Sequence, residues 1–172
     1  MSQDELVEVV DEEGNILTVV SKKEAHEKGL LHKTVIAEVI DSQGRWLMAK
    51  QSASKQDKGQ YVSAVGGHVT SGETDLEALQ KEAREEIGLT QDFKYEFVDK
   101  KVHYREVLGR KENHLFLVYK IFSDIEPVTN DEIESCTRFT EEELKRELKE
   151  NPQLFGINFH FVIKNFFPEL LE

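Results

Sequence analysis

Residues 67–89, GHVTSGETDLEALQKEAREEIGL, constrain this chain more than any other stretch. Thr74-Asp75-Leu76-Glu77 has the form of a capping box, in which threonine and glutamate satisfy each other's backbone N–H groups at a helix start. Leu76, Leu79, Ala83 and Ile87 then recur at helical spacing, and Gly88 can close the helix in a left-handed conformation. The spacing predicts a helix with a buried apolar stripe. Glu82, Glu85 and Glu86, at i, i+3 and i+4, share another face. Three carboxylates on one turn repel one another, and Lys81 and Arg84 give only partial local relief. A hard divalent cation such as Mg2+ or Mn2+, which prefers oxygen ligands, would resolve the conflict. Gly66-Gly67 ahead of the helix would let the backbone turn sharply and offer a carbonyl to the same ion. Taken alone, three glutamates on a helix are more often a solvated acidic face.

Around this segment, strand and helix signals interleave. Leu6–Val10 and Ile16–Val20 read as a hairpin across the turn cluster 11–15. Ser21-Lys22-Lys23-Glu24 reads as a helix start and Gly29 as its stop. Thr34–Ile40 and Trp46–Ala49 read as paired strands across a turn at 41–44. Residues 51–60 read as a polar loop, and Tyr61–Val65 as a short strand running into Gly66-Gly67. The stretch 93–122 reads as two or three strands with a turn at Gly109. Thr140-Glu141-Glu142-Glu143 starts a helix that Asn151-Pro152 breaks, and the aromatic tail 157–172 reads as a docked helix. The alternation fits an α/β sandwich. At 172 residues the chain has room for one domain, with residues 1–30 forming its hairpin and first short helix.

Charge narrows the partners. The formal net charge is −12, which argues against coating a nucleic-acid polymer. It leaves room for phosphorylated small molecules whose charge is met by a metal and a few basic groups. Two stretches, 43–60 and 94–111, each carry a local excess of base. They nominate Lys50, Lys58 and Arg105 as contacts for an anionic substrate, against the plainer reading of scattered surface charge. No apolar run is long enough to span a membrane, and the acidic start is the wrong chemistry for a targeting peptide. Cys136, the single cysteine, cannot form an internal disulfide. A cytoplasmic protein is the expectation, and the composition allows a homodimer without requiring one.

The offsets within 67–89 carry more information than the glutamates alone. Gly67, five residues, Glu73, seven residues, Lys81-Glu82-Ala83, one residue, Glu85-Glu86, one residue, Gly88-Leu89 closely resembles the Nudix box, with Lys81 where the pattern has arginine. The hairpin, Leu31-His32, the strands around Trp46 and Val65-Gly66-Gly67-His68-Val69 resemble the Nudix branch related to isopentenyl-diphosphate isomerase.

The resemblance implies an α/β/α sandwich with a mixed central sheet. It also implies a hydrolase that cleaves a diphosphate linkage, such as that of a nucleoside diphosphate derivative, with metal-activated water. Glu82, Glu85, Glu86 and the carbonyl of Gly67 or Gly66 would hold Mg2+ or Mn2+. Glu85 is the first choice to orient or deprotonate the water, with Glu112, Glu132 and Glu134 as candidates outside the box. Glu73 would support the metal loop, paired with Lys81. Lysine keeps the charge of the usual arginine but loses its bidentate fork.

His32 and His68 match positions where the related isomerases bind metal, and His26 lies near a third. With Glu112 they suggest a second metal position, and His114 stands near where that branch has another acidic ligand. Against isomerisation, Gly66 occupies the place of the isomerase's catalytic cysteine. A non-catalytic nucleotide sensor is the remaining alternative, set against by the complete glutamate set.

Overall fold

The computed structural model describes residues 4–53 and 58–172; Met1–Gln3 and the middle of the expected loop 51–60 lie outside the described residues. Strands β1 (Leu6–Val10) and β2 (Ile16–Ser21) form the expected antiparallel hairpin. Ser21 caps helix α1 (Lys22–Lys28), its side chain accepting from the Glu24 amide, and Gly29 ends it at φ 69°. Strand β3 (His32–Ile40) is the spine of the sheet. It pairs antiparallel with β4 (Trp46–Gln51) and β6 (Val65–His68), and parallel with β8 (Arg110–Phe122). The sheet is therefore mixed, and it contains nine strands among the described residues.

Alternation along β3 decides what each face packs against. Val35, Ala37 and Val39 face a core shared with helix α2 (Asp75–Ile87), which contributes Ala78, Leu79, Ala83 and Ile87. All four of those side chains are 0% exposed, and a buried Leu or Ile contributes about 1.5–3 kcal/mol. Ile36 faces the opposite core, formed with helix α3 (Glu141–Glu150) and helix α4 (Ile157–Phe166), where Trp46 meets Phe167 edge-on at 5.1 Å. Helices thus cover both faces, giving an α/β/α sandwich. Among the described residues no helix is long and apolar enough to cross a membrane.

Three expectations need correction. The strand expected over Tyr61–Val65 is two: β5 (Tyr61–Ser63) pairs with β4, whereas β6 crosses to β3, because β3 and β4 separate beyond Val39–Leu47. Gly66 and Gly67 are strand residues opposite Ile36 and Val35, not a sharp turn. The turn expected at Gly109 is present: β7 (Lys94–Val107) and β8 form one long hairpin across Leu108-Gly109, both at positive φ. The tail helix stops at Phe166, and Pro168 begins a separate 3-10 turn, since proline disfavours helical backbone in the residue before it. Strand β9 (Ile133–Phe139), antiparallel to β4, had no counterpart in the sequence reading.

Candidate active site

Helix α2 and strand β6 build one wall of a cleft of about 810 Å3. Thr74 and Glu77 form the reciprocal capping box, and Gly88 closes the helix at φ 73°. This fixes Glu82, Glu85 and Glu86 on the cleft side, and all three line it together with Gly66, Gly67 and His68. Glu82 is 2% exposed, and its Oε1 has no hydrogen-bond partner among the described residues. Burial, then the neighbouring Glu85 and Glu86, push its carboxyl up to about 8. Gly67 is required by close approach: a Cβ there would lie 2.1 Å from the Glu82 carboxyl carbon. A buried, orphaned carboxylate oxygen beside two further carboxylates and an open backbone fits a hard cation, so these residues suit the metal expected of them.

The helix is braced from behind. The Lys81 ammonium reaches both carboxylate oxygens of Glu73, at 3.1 and 3.0 Å, and Glu73 also accepts from the Thr70 amide at 2.9 Å. Burial opposes the Glu73 charge, but those two donors outweigh it and hold the carboxyl below its ordinary value. Lys81 therefore ties the loop to the helix as a point charge, where an arginine would use a planar fork.

A second group stands at the same cleft. His26 (α1), His32 (β3), His68 (β6) and His114 (β8) bring one ring nitrogen each to within 4.8 Å of one another. The His26 nitrogens and His32 Nε2 are buried without hydrogen-bond partners among the described residues. His32 Nδ1 lies 2.9 Å from the Leu30 carbonyl, so donating there leaves Nε2 as a lone-pair donor. Burial, then the positive form of His32, lowers His26 to about 4. Burial dominates the lowering of His32, His68 and His114 as well. Four neutral imidazoles so placed could hold a transition metal.

Glu112 is not a member of this set. It lines the cleft, but its carboxylate lies 3.1 Å from Arg105 Nε and 3.2 Å from an Arg110 nitrogen. Arg105 is thus bound to Glu112, Lys50 lies 3.8 Å from Glu134, and Lys58 is exposed; none of these three bases lines the cleft. Lys22, 7% exposed on α1, does line it. So do Glu132 with its neighbours 130–133, and Asn158 and Phe159 at the start of α4. Glu132 is one of the expected candidates outside the box; no local signal marked the others, because the fold brings them in from distant segments. Cys136 is half-buried on β9, opposite Ala49, and burial raises its thiol.

The NUDIX domain family model matches residues 30–157. The chain belongs to the Nudix family. Within it, an isopentenyl-diphosphate Delta-isomerase of Serratia proteamaculans is 29% identical over 165 residues, covering 94% of this chain and 91% of that one. An uncharacterised Nudix hydrolase of Yersinia pestis is 34% identical over 86 residues, covering 49% and 47%. The crystal structure of DR0079 from Deinococcus radiodurans superposes with a TM-score of 0.72 at 24% identity, over 93% of this chain and 98% of the other, which shows the shared fold. This chain is a Nudix hydrolase of the branch that resembles the isomerases.

Proposed function

We propose that this Nudix hydrolase cleaves a diphosphate linkage in a nucleoside diphosphate derivative or similar cytoplasmic small molecule, as a single domain over residues 1–172. The observation that carries the reading is Glu82: a buried carboxylate with an unsatisfied oxygen, held under Gly67 and facing a cleft lined by Glu85 and Glu86. Glu82, Glu85, Glu86 and the Gly67 carbonyl would hold Mg2+ or Mn2+. Such an ion neutralises charge on the diphosphate and lowers the pKa of a bound water. Glu85, the exposed member of the three, would be placed to orient that water and take its proton. Glu73 and Lys81 hold the loop against the helix so that the carboxylates keep their places. Lys22 brings a positive charge to the cleft wall, where it can meet a phosphate oxygen.

The histidine tetrad would hold a second metal of a different class. It contains His32 and His68, with His26 and His114 completing it in place of Glu112, and its all-nitrogen donor set favours Zn2+ or a similar ion over Mg2+. The tetrad and the isomerase relatives favour a second reading, isoprenoid diphosphate isomerisation, and Gly66 opposes it.

The test is formation of phosphate monoesters, read as phosphate liberated by added alkaline phosphatase, from a panel of nucleoside diphosphate derivatives with Mg2+, comparing wild type with Glu85→Gln. Release that falls at least about a hundredfold in the variant is expected of a group acting in proton transfer. Tight binding with no release would establish a sensor instead, and interconversion of isopentenyl and dimethylallyl diphosphate would establish an isomerase.

A further inference from the structure

The even-numbered residues of β3 run along the cleft side of the sheet. Thr34 and Ile36 line the cleft, and the next residue in that row is Glu38. Its side chain is fully buried, its Oε1 has no partner among the described residues, and its Oε2 lies 2.5 Å from Ser63 Oγ. Ser63 lines the cleft, as do Val62, Ala64, Ile36 and Phe116. An isolated carboxylate in such a place costs several kcal/mol, and an apolar residue of similar volume would pack there without that cost. Structure alone gives no reason to keep an acid at this position, whereas a hydroxyl that must point into the cleft does.

We propose that Ser63, aligned from behind by Glu38, is a specificity-determining group that donates a hydrogen bond to a polar atom on the organic part of the substrate. The site thereby takes heteroatom-bearing diphosphates, such as nucleoside derivatives, over prenyl diphosphates. This rests on the hydrolase reading above and sharpens its substrate class.

The proton arrangement supports it. Burial pushes the Glu38 carboxyl up to about 7, against the Ser63 hydrogen bond, which lowers it. In the structure the Ser63 hydroxyl donates to Glu38 Oε2; once the acid is neutral its own O–H can be given to Ser63 Oγ, which frees the serine proton for the cleft. The ionised acid takes that proton back, leaving only lone pairs facing the substrate. Of the groups on neighbouring strands, Lys120 stands opposite Glu38 on β8, but its ammonium lies over the Phe167 ring at 5.7 Å. Tyr61 on β5 is bonded to Thr137 of β9 at 3.1 Å, and β4 presents Trp46 and Met48 to this face. A hydrocarbon chain laid over Ser63 would strand its hydroxyl; a ring nitrogen, carbonyl or sugar hydroxyl would satisfy it.

The experiment measures binding of ADP-ribose and of isopentenyl diphosphate by calorimetry with Ca2+, and turnover of both with Mg2+, in wild type, Ser63→Ala, Glu38→Gln and Glu38→Leu. Wild type should prefer ADP-ribose, and Ser63→Ala should shrink that preference about tenfold, the loss of one hydrogen bond. Glu38→Gln, whose amide can also donate to Ser63, should keep the preference and remove its decline above pH 7. Glu38→Leu should fold yet lose the preference. An unchanged preference in Ser63→Ala, or a wild-type preference for isopentenyl diphosphate, overturns the proposal while leaving hydrolysis standing. Ser63-dependent binding without turnover supports the proposal and removes the hydrolase reading. Binding of neither probe overturns it. The infrared difference between wild type and Glu38→Gln at pH 6, in which the Glu82 acid cancels, gives a readout free of ligand: a carboxylic-acid difference band if the proposal holds, none if it fails.

Discussion

Replacing Gly67 with alanine tests the metal-binding wall through geometry alone. The new Cβ would lie 2.1 Å from the Glu82 carboxyl carbon and 2.4 and 2.5 Å from its oxygens. Carbon atoms in contact settle near about 3.5 Å, so the carboxylate must retreat by roughly 1.4 Å. Gly67 is locked opposite Val35, so the strand holds and the buried Glu82 carboxylate must swing toward the cleft. Overpacking of this kind costs about 1–3 kcal/mol. For a chain of this size that lowers Tm by about 2–12 °C. Displacing one carboxylate of three should also weaken Mn2+ binding at least about tenfold. Gly66→Ala is the control, because its Cβ would meet nothing closer than the Val35 carbonyl at 3.7 Å. Thermal melts with and without Mn2+, with calorimetric titration of the metal, read both effects. Equal stability and equal Mn2+ affinity in the two variants would refute the reasoning.

Three further outcomes follow from the site. Glu82 holds its proton more tightly in the folded state, from 4.5 up to about 8. Metal-free stability should therefore fall as pH rises through that window, by on the order of 3–5 kcal/mol at the full shift. Glu82→Gln should flatten that slope in urea titrations, and a slope equal to wild type would count against it. Lys81→Met leaves Glu73 without its ammonium and should lower turnover, whereas Lys81→Arg should retain it; equal loss in both would deny Lys81 its tethering role. Co2+ added to metal-free protein should give an intense visible spectrum of four-nitrogen coordination, abolished by His32→Ala and untouched by Glu85→Gln. Dependence on Glu85 would place the ion at the wrong site.

The sequence made α2 legible because its cap, stripe and stop are all local, and the glutamate offsets sit inside one helix. The pairing of Glu73 with Lys81 was legible for the same reason. What escaped depends on long-range pairing. Strand β9 is short and exposed in part, and its partner β4 lies some ninety residues earlier. The split between β5 and β6 follows from which strand each one joins. Gly66-Gly67 carries the general signal of glycine flexibility, yet Gly67 serves close approach to a side chain fifteen residues away. Arg105 read as a substrate contact because its charge was visible and its ion pair with Glu112 was not. The four histidines come from four elements and share no local pattern, so only the family resemblance marked them; Glu38, in the alternation of an ordinary buried strand, had no signal at all.

The central claim is that water, activated at the glutamate wall, attacks a phosphorus atom. Turnover in water enriched in oxygen-18, with Mg2+ and a nucleoside diphosphate derivative, tests it directly by mass spectrometry of the products. The account predicts one labelled oxygen on a product phosphate in wild type, and loss of labelled product in Glu85→Gln. Unlabelled product, or label incorporated equally by the variant, would contradict it.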